Sequence, residues 1–392
     1  MSNRVEIESD TLDFKENIKT KNNKIISFIQ NENCLITFWA DGSESYFDFL
    51  WLRDNCPSAF HVSTLERSFR LLSIEDDLKP TKIILHEASL EIDWSNQDNS
   101  IFSYIWLWNN DYSNQKKTSS KKSNLKTWDN NHKDKIYKKK YTTLNSEKEL
   151  YKWMKRLHTE GIALIECMPD EANILEKTVS KVGHLRGTNY GLVFEVKSEH
   201  SPNNQACTSE ELTFHTDHAH HEYTPGYQFI HFIKNEAIGG ESIFVDGFKV
   251  VERLKKEHSE YYYLLCKHSI NFHFHDEEYD VMTQKTVFEE VDGKVVAINF
   301  SPHLATAFQI PHDIMRSYYL AYRCFMKMLY KPEFLIQLKI ESGDLAAFDN
   351  QRILHGRRAY DINTGNRYLR GCYIDRVDFE SKLKINNHRL NN

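Results

Sequence analysis

No run of about 18 apolar residues occurs in the chain, so nothing in it is built to span a membrane. No CxxC pair joins any of its seven cysteines, and the number is odd. That excludes a disulfide framework and predicts reduced thiols in an intracellular protein. Positive charge is not in excess either: 50 Lys and Arg face 56 Asp and Glu, for a net charge of -6. A dedicated nucleic-acid binder would carry a basic surface, so that class is set aside. The first residues, MSNRVEIESDTLDFKENIK, are acidic and polar. They lack both the Arg-rich, acid-poor character of a transit peptide and the apolar stretch of a secretory signal, and the expected location is the cytoplasm.

Aromatic residues, by contrast, are abundant. There are 23 Phe, 20 Tyr and 7 Trp in 392 residues. Most must be core, and the surplus is available to line a pocket. The length suits two domains. Residues 1–24 read as a polar arm. Residues 25–108 alternate strand and turn signals, with hairpins at Asp41–Gly42 and between Thr81–Leu85 and Leu90–Trp94, and predict a small β domain. Residues 109–140 are Lys-, Asn- and Ser-rich and predict an exposed linker. Residues 141–392 form the third segment. There the spacing predicts helices over Ser146–His158, with a Ser146/Glu149 capping box and Gly161 as the stop, over Glu171–Val182 and over Pro311–Tyr330. Many antiparallel strands fall between them, including a hairpin at Asp292–Gly293. The fold class is therefore mainly β with helices: a jelly-roll domain preceded by a small β-rich domain.

Leu212–Asp217 places His215 and Asp217 two residues apart, which on a strand turns both side chains to one face. His355, in Asp349–Arg357 (DNQRILHGR), supplies a third ligand. Two imidazoles and one carboxylate leave three positions open, the facial triad of non-haem Fe(II) oxygenases. The open positions suit 2-oxoglutarate, which takes two, and O₂. The spacing alone is weak, because His132 and Asp134 repeat it inside the Lys-rich stretch. Arg367, one strand after His355, is the candidate anchor for the distal carboxylate of 2-oxoglutarate through paired hydrogen bonds, with Arg370 as runner-up and Ser242 as a hydroxyl donor. His218, His220 and His221 follow the first ligand pair, and His273 and His275 form another pair; all five are expected to line the pocket or sit on the surface.

The segments Phe214–Asp217 (FHTD), Gly239–Phe248 (GGESIFVDGF) and Asp349–Tyr360 (DNQRILHGRRAY) resemble the γ-butyrobetaine and trimethyllysine dioxygenases of the taurine dioxygenase-like superfamily. The resemblance extends to Leu50–Cys56 (LWLRDNC). It implies a double-stranded β-helix for the third segment, Fe(II), 2-oxoglutarate, O₂ and ascorbate as cofactors, a homodimer, and a small trimethylammonium substrate. Such a cation donates no hydrogen bond and is held by ring faces within about 6 Å. The matching positions are Tyr190, Phe194 and Tyr373 for the cage, with Cys207 where the family has Tyr, and Asn204 and Asn299 for the substrate's carboxylate end. The family's N-terminal zinc is matched only by Cys56, with Ser58, His61 and Asp98 near the other positions, and no stoichiometric zinc is expected. The stretch Gly356–Tyr360 and Phe214 look closer to the γ-butyrobetaine branch, which implies hydroxylation to L-carnitine. Gly371–Arg376 also resembles the trimethyllysine branch, whose members are often mitochondrial.

Overall fold

Trp39 and Trp94 each donate an indole N–H to a buried serine six residues on, Ser45 at 2.7 Å and Ser100 at 2.8 Å. These matching pairs mark an internal repeat in the computed structural model, which describes residues 23–113, 125–197 and 208–391. Met1–Ser123 and Asn124–Asn392 are separate compact units. In the first, strands β1 (Ile25–Gln30), β2 (Cys34–Trp39) and β3 (Glu44–Asp48) make an antiparallel meander that runs into helix α1 (Phe49–Asp54). Strands β4 (Pro80–Leu85), β5 (Ser89–Trp94) and β6 (Asn99–Ser103) do the same and run into α2 (Tyr104–Asn109). Each helix is capped the same way. Asp48 accepts from the Trp51 amide and Ser103 from the Trp106 amide, while Asn55 and Asn110 each bond the carbonyl of that same tryptophan. A side-chain N-cap is worth about 1 kcal/mol, so both short helices need it.

The second unit is a sandwich of two curved sheets. The larger has the order β10 (Phe194–Lys197), β21 (Arg367–Ile374), β12 (Tyr227–Asn235), β19 (Leu345–Asp349), β8 (Ile162–Glu166), β7 (Tyr137–Lys140), with β9 (Leu185–Arg186) also on β21. The smaller has the order β11 (Leu212–His215), β20 (Ile353–Arg357), β13 (Ser242–Asp246), β18 (Ile336–Leu338). Period-two alternation sorts the larger sheet's side chains. Phe232, Phe348 and Leu369 face inward and meet Phe244 and Ile353 of the smaller sheet. Tyr227, Phe229, Cys372 and Ile374 face outward against α3 (Glu147–Glu160) and α8 (Arg376–Asn391). The smaller sheet is backed by α5 (Gly247–Glu257), α6 (Ser259–Lys267) and α7 (His312–Leu329), together with the hairpins β14 (Ser269–His275)–β15 (Asp280–Thr286) and β16 (Phe288–Val291)–β17 (Lys294–Ile298). This is the expected jelly roll, and the Asp292–Gly293 hairpin forms with both residues at positive φ.

Three expectations need correction. The Lys-rich stretch is no linker from Leu125 onward. Trp128 and Ile136 are buried, Trp128 Nε1 donates to the Glu160 carbonyl, and β7 runs parallel to β8. Leu125 and Tyr137 also pack against the core, so a few apolar side chains dock an otherwise polar segment. The capping box of α3 does not form: Ser146 makes no side-chain cap, and Glu149 pairs with Lys139 and Lys152 instead. The helix expected over Glu171–Val182 shrinks to α4, Ile174–Val179.

Candidate metal centre

His215 lies on the edge strand β11, directly opposite His355 on β20, and their ring centroids are 4.3 Å apart. His215 Nδ1 is 2.8 Å from the Thr213 carbonyl, which fixes that nitrogen as the N–H donor and leaves Nε2 for a metal. Nε2 is 3.1 Å from Asp217 Oδ1, and His355 Nε2 is 3.7 Å from Asp217 Oδ2. One ligand atom from each of the three residues falls within 4.8 Å of the other two. Asp217 does not reach this point by strand alternation as expected. β11 ends at His215, and Asp217 sits in the following turn. Asn350 holds it there, accepting from the Asp217 amide at 2.8 Å and donating to its carbonyl at 3.0 Å.

The electrostatics suit a cation. Burial, with His215 beside it, pushes the His355 imidazole down to about 3, so it is neutral and ready to ligate at neutral pH. Burial acts to raise the Asp217 carboxyl, but the fields of His355 and His215 outweigh it, and the group is held well below the usual carboxylate range. Two imidazoles and one charged carboxylate fit Fe(II) with three open positions.

A cavity opens at this triad, walled by Phe194, Phe232, Phe244, Phe348 and Leu369. Arg367 and Ser242 both line it, as expected of anchors for an anionic cosubstrate. Arg357 lines it too, a second guanidinium that sequence reading had not assigned; its position two residues beyond His355 on a strand was the available signal. Arg370 points out the other side of β21 and pairs with Glu176 at 2.8 Å, so the runner-up is excluded.

The aromatic candidates separate. Phe194 lines the cavity and stacks on Tyr373, with centroids 5.3 Å apart. Gly371 makes room for that ring, because a Cβ there would overlap it. Tyr190 stands further along, against His218 and Phe274. Asn299 is not brought to the cavity. It is buried, and its side chain is engaged by Thr224, the Thr286 carbonyl and Glu289. Asn204 and Cys207 lie outside the described residues. His273 and His275 approach Asp280 on the neighbouring strand, at 2.6 and 3.7 Å, on the surface. In the first unit Asp98 is paired with Arg53 at 2.6 Å, His61 bonds Ser63 and the Thr64 amide, and Cys56 Sγ lies 3.0 Å from Ser58 Oγ. Cys56 and Ser58 thus meet each other, while His61 and Asp98 are engaged elsewhere.

Sequence reading missed the hydroxyl of Tyr373. It donates to Asp217 Oδ2 at 2.7 Å and so orients the carboxylate of the candidate triad. Burial and the adjacent Asp217 push its pKa well above that of an ordinary phenol, so it remains a donor. Tyr373→Phe keeps the ring and removes the donor. Loss of such an outer partner costs about 10–100-fold in metal affinity or activity. We expect the loss in kcat and iron affinity, with the KM of the organic substrate little changed; a change confined to that KM would restrict Tyr373 to the cage.

A family model described as taurine catabolism dioxygenase TauD, TfdA family, matches residues 108–373. The chain belongs to the TauD/TfdA dioxygenase family. A second model, gamma-butyrobetaine hydroxylase-like, N-terminal, matches residues 26–108 of this TauD/TfdA dioxygenase. Gamma-butyrobetaine dioxygenase from Pseudomonas sp. (strain AK-1) is 31% identical over 88% of this chain and 92% of its own. The Homo sapiens protein of that name is 30% identical over 90% and 94%. Trimethyllysine dioxygenase from Meyerozyma guilliermondii is 26% identical over 93% and 96%. A solved taurine dioxygenase from Burkholderia xenovorans aligns with 58% of this chain and 82% of its own, at 13% identity and a TM-score of 0.47. The TauD/TfdA chain is thus an Fe(II)- and 2-oxoglutarate-dependent dioxygenase. No helix among the described residues is long and apolar enough to cross a membrane.

Proposed function

We propose that this dioxygenase hydroxylates γ-butyrobetaine to L-carnitine. The observation that carries the reading is Phe194, which lines the triad's cavity and stacks on Tyr373, whose hydroxyl reaches the Asp217 carboxylate. Ring faces attract a quaternary ammonium, worth roughly 2 kcal/mol or more when desolvated, without offering a hydrogen bond that it cannot use. The relatives named gamma-butyrobetaine dioxygenase, at 29–31% identity, support this branch over the trimethyllysine one at 26–28%.

His215, Asp217 and His355 would hold Fe(II). When bound, iron with 2-oxoglutarate and O₂ supplies oxidative decarboxylation to succinate and CO₂ coupled to insertion of one oxygen atom into a C–H bond. The chain's own residues supply position. Arg367 and Ser242, which line the cavity, would hold the cosubstrate's far carboxylate. Asn350 fixes the backbone of Asp217, and Tyr373 fixes its carboxylate. Phe194 and Tyr373, with Tyr190 beyond, seat the cation, and Phe232, Phe244 and Leu369 keep bulk water from the cavity wall.

The test is succinate release by purified protein with Fe(II), ascorbate and 2-oxoglutarate, offered γ-butyrobetaine, trimethyllysine or neither. The largest stimulation is expected with γ-butyrobetaine, with L-carnitine as product. A larger stimulation by trimethyllysine would transfer the assignment to that branch, and none above the substrate-free background with either would end both.

A further inference from the structure

The turn that follows Asp217 carries three more histidines that the iron centre does not use. His218, His220 and His221 each present a ring nitrogen within 4.8 Å of the other two. His218 and His220 are only 4% and 2% exposed. Nδ1 of His218 and both ring nitrogens of His220 are buried without a hydrogen-bond partner. Leaving one buried polar atom unsatisfied costs about 1–3 kcal/mol, so three on one turn amount to an open demand for a partner. The backbone is shaped to bring them together. His218 has a φ of 56°, a left-handed conformation uncommon for a non-glycine residue, and its carbonyl accepts from the His221 amide. Packing then fixes the rings: His220 stacks on Phe274 at 5.3 Å, and His218 meets Tyr373 edge-on at 4.9 Å. The nearby cations do not repel a metal unopposed. Arg186 is paired with Asp375, and Lys285 stands in the field of Glu289 and Glu222.

We propose that His218, His220 and His221 form a second metal site, separate from the iron triad, for a borderline divalent cation such as Zn²⁺ or Co²⁺. Three imidazoles with one position left open make a four-coordinate set, and an all-nitrogen set suits zinc, cobalt or copper where the carboxylate-bearing triad suits iron. An ion bound there ties down the turn on which Asp217 rides, so its occupancy would restrain the iron ligand next door. The site stands whichever trimethylammonium compound is the substrate.

Cobalt(II) stoichiometry by equilibrium dialysis, with visible absorption to report four-coordination, tests this in the full chain. The wild type is expected to bind two ions per chain. His215→Ala/His355→Ala, which dismantles the triad, should retain one, and adding His220→Phe and His221→Asn should remove it. His220→Phe preserves the stack on Phe274. Should the combined variant fail to fold, His221→Asn alone in the otherwise native chain serves instead: it should weaken the second ion at least tenfold while leaving the metal-free melting temperature unchanged. The proposal is overturned if His215→Ala/His355→Ala binds no cobalt, or if the His220 and His221 substitutions leave the stoichiometry and affinity as they were.

Discussion

Asp217→Asn is expected to reduce substrate-stimulated succinate release to background and to weaken Fe(II) binding by more than about 100-fold, the upper range for loss of a mere outer-shell partner. Asparagine has the same shape. The Asn350 clamp on the Asp217 backbone is made through main-chain atoms and survives the change. What is lost is the one anionic ligand of the triad. His355 is held neutral, with its imidazole at about 3, so no other group of the triad replaces that charge opposite a divalent ion. The Tyr373 hydroxyl, which donates to Asp217 Oδ2, would face an amide whose nitrogen does not accept. Two measurements decide it: succinate release and anaerobic iron titration, with the metal-free melting temperature as the control for folding. Turnover within about tenfold of wild type, a barrier change near 1.4 kcal/mol, would show that Asp217 is not an iron ligand.

How much of this was legible in the sequence varies by residue. The triad was, because long flanking motifs accompany His215, Asp217 and His355, and the jelly roll was, because alternating strands repeat through the third segment. The reason given for Asp217 was not correct. The two-residue spacing suggested strand alternation, whereas the structure uses a turn pinned by Asn350, which lies 133 positions away. Contacts at such separation leave no local pattern to read. The same holds for Tyr373, whose ring fitted a cage but whose hydroxyl partner comes from another element, and for Asn299, whose side chain is engaged by neighbours from three segments. The repeat in the first unit failed for a different reason. Its anchors recur (Trp39 and Trp94, Ser45 and Ser100, Trp51 and Trp106, Leu52 and Leu107, Asn55 and Asn110), while many positions between them differ. A hairpin-by-hairpin reading sees the elements but not their duplication.

The motif residues around the ligands carry the stability of the site, and Asp246 shows it most directly. Asp246 and Arg352 are fully buried and joined by two hydrogen bonds of 2.8 and 3.1 Å. Arg352 also donates to the carbonyls of Thr159 and Lys126, and Asp246 accepts from the amides of Trp128 and Phe248, so every arm of the pair is satisfied. Arg352 is three residues before His355, at the root of β20, and Asp246 closes the neighbouring strand β13. Asp246→Ala strands a guanidinium in the core and frees two amides. Removing one partner of such a pair costs about 3–5 kcal/mol, which for a unit of this size is a fall in Tm on the order of 10 °C. Asp246→Leu/Arg352→Met replaces both charges with apolar groups of similar reach and should lose less than Asp246→Ala alone, though the carbonyls of Thr159 and Lys126 keep it below wild type. Neither residue lines the cavity, so the folded fraction of each variant, assayed well below its Tm, should keep the substrate preference of the wild type. A loss under about 1 kcal/mol for Asp246→Ala would mean that water reaches the pair and that the root of β20 is softer than its burial implies.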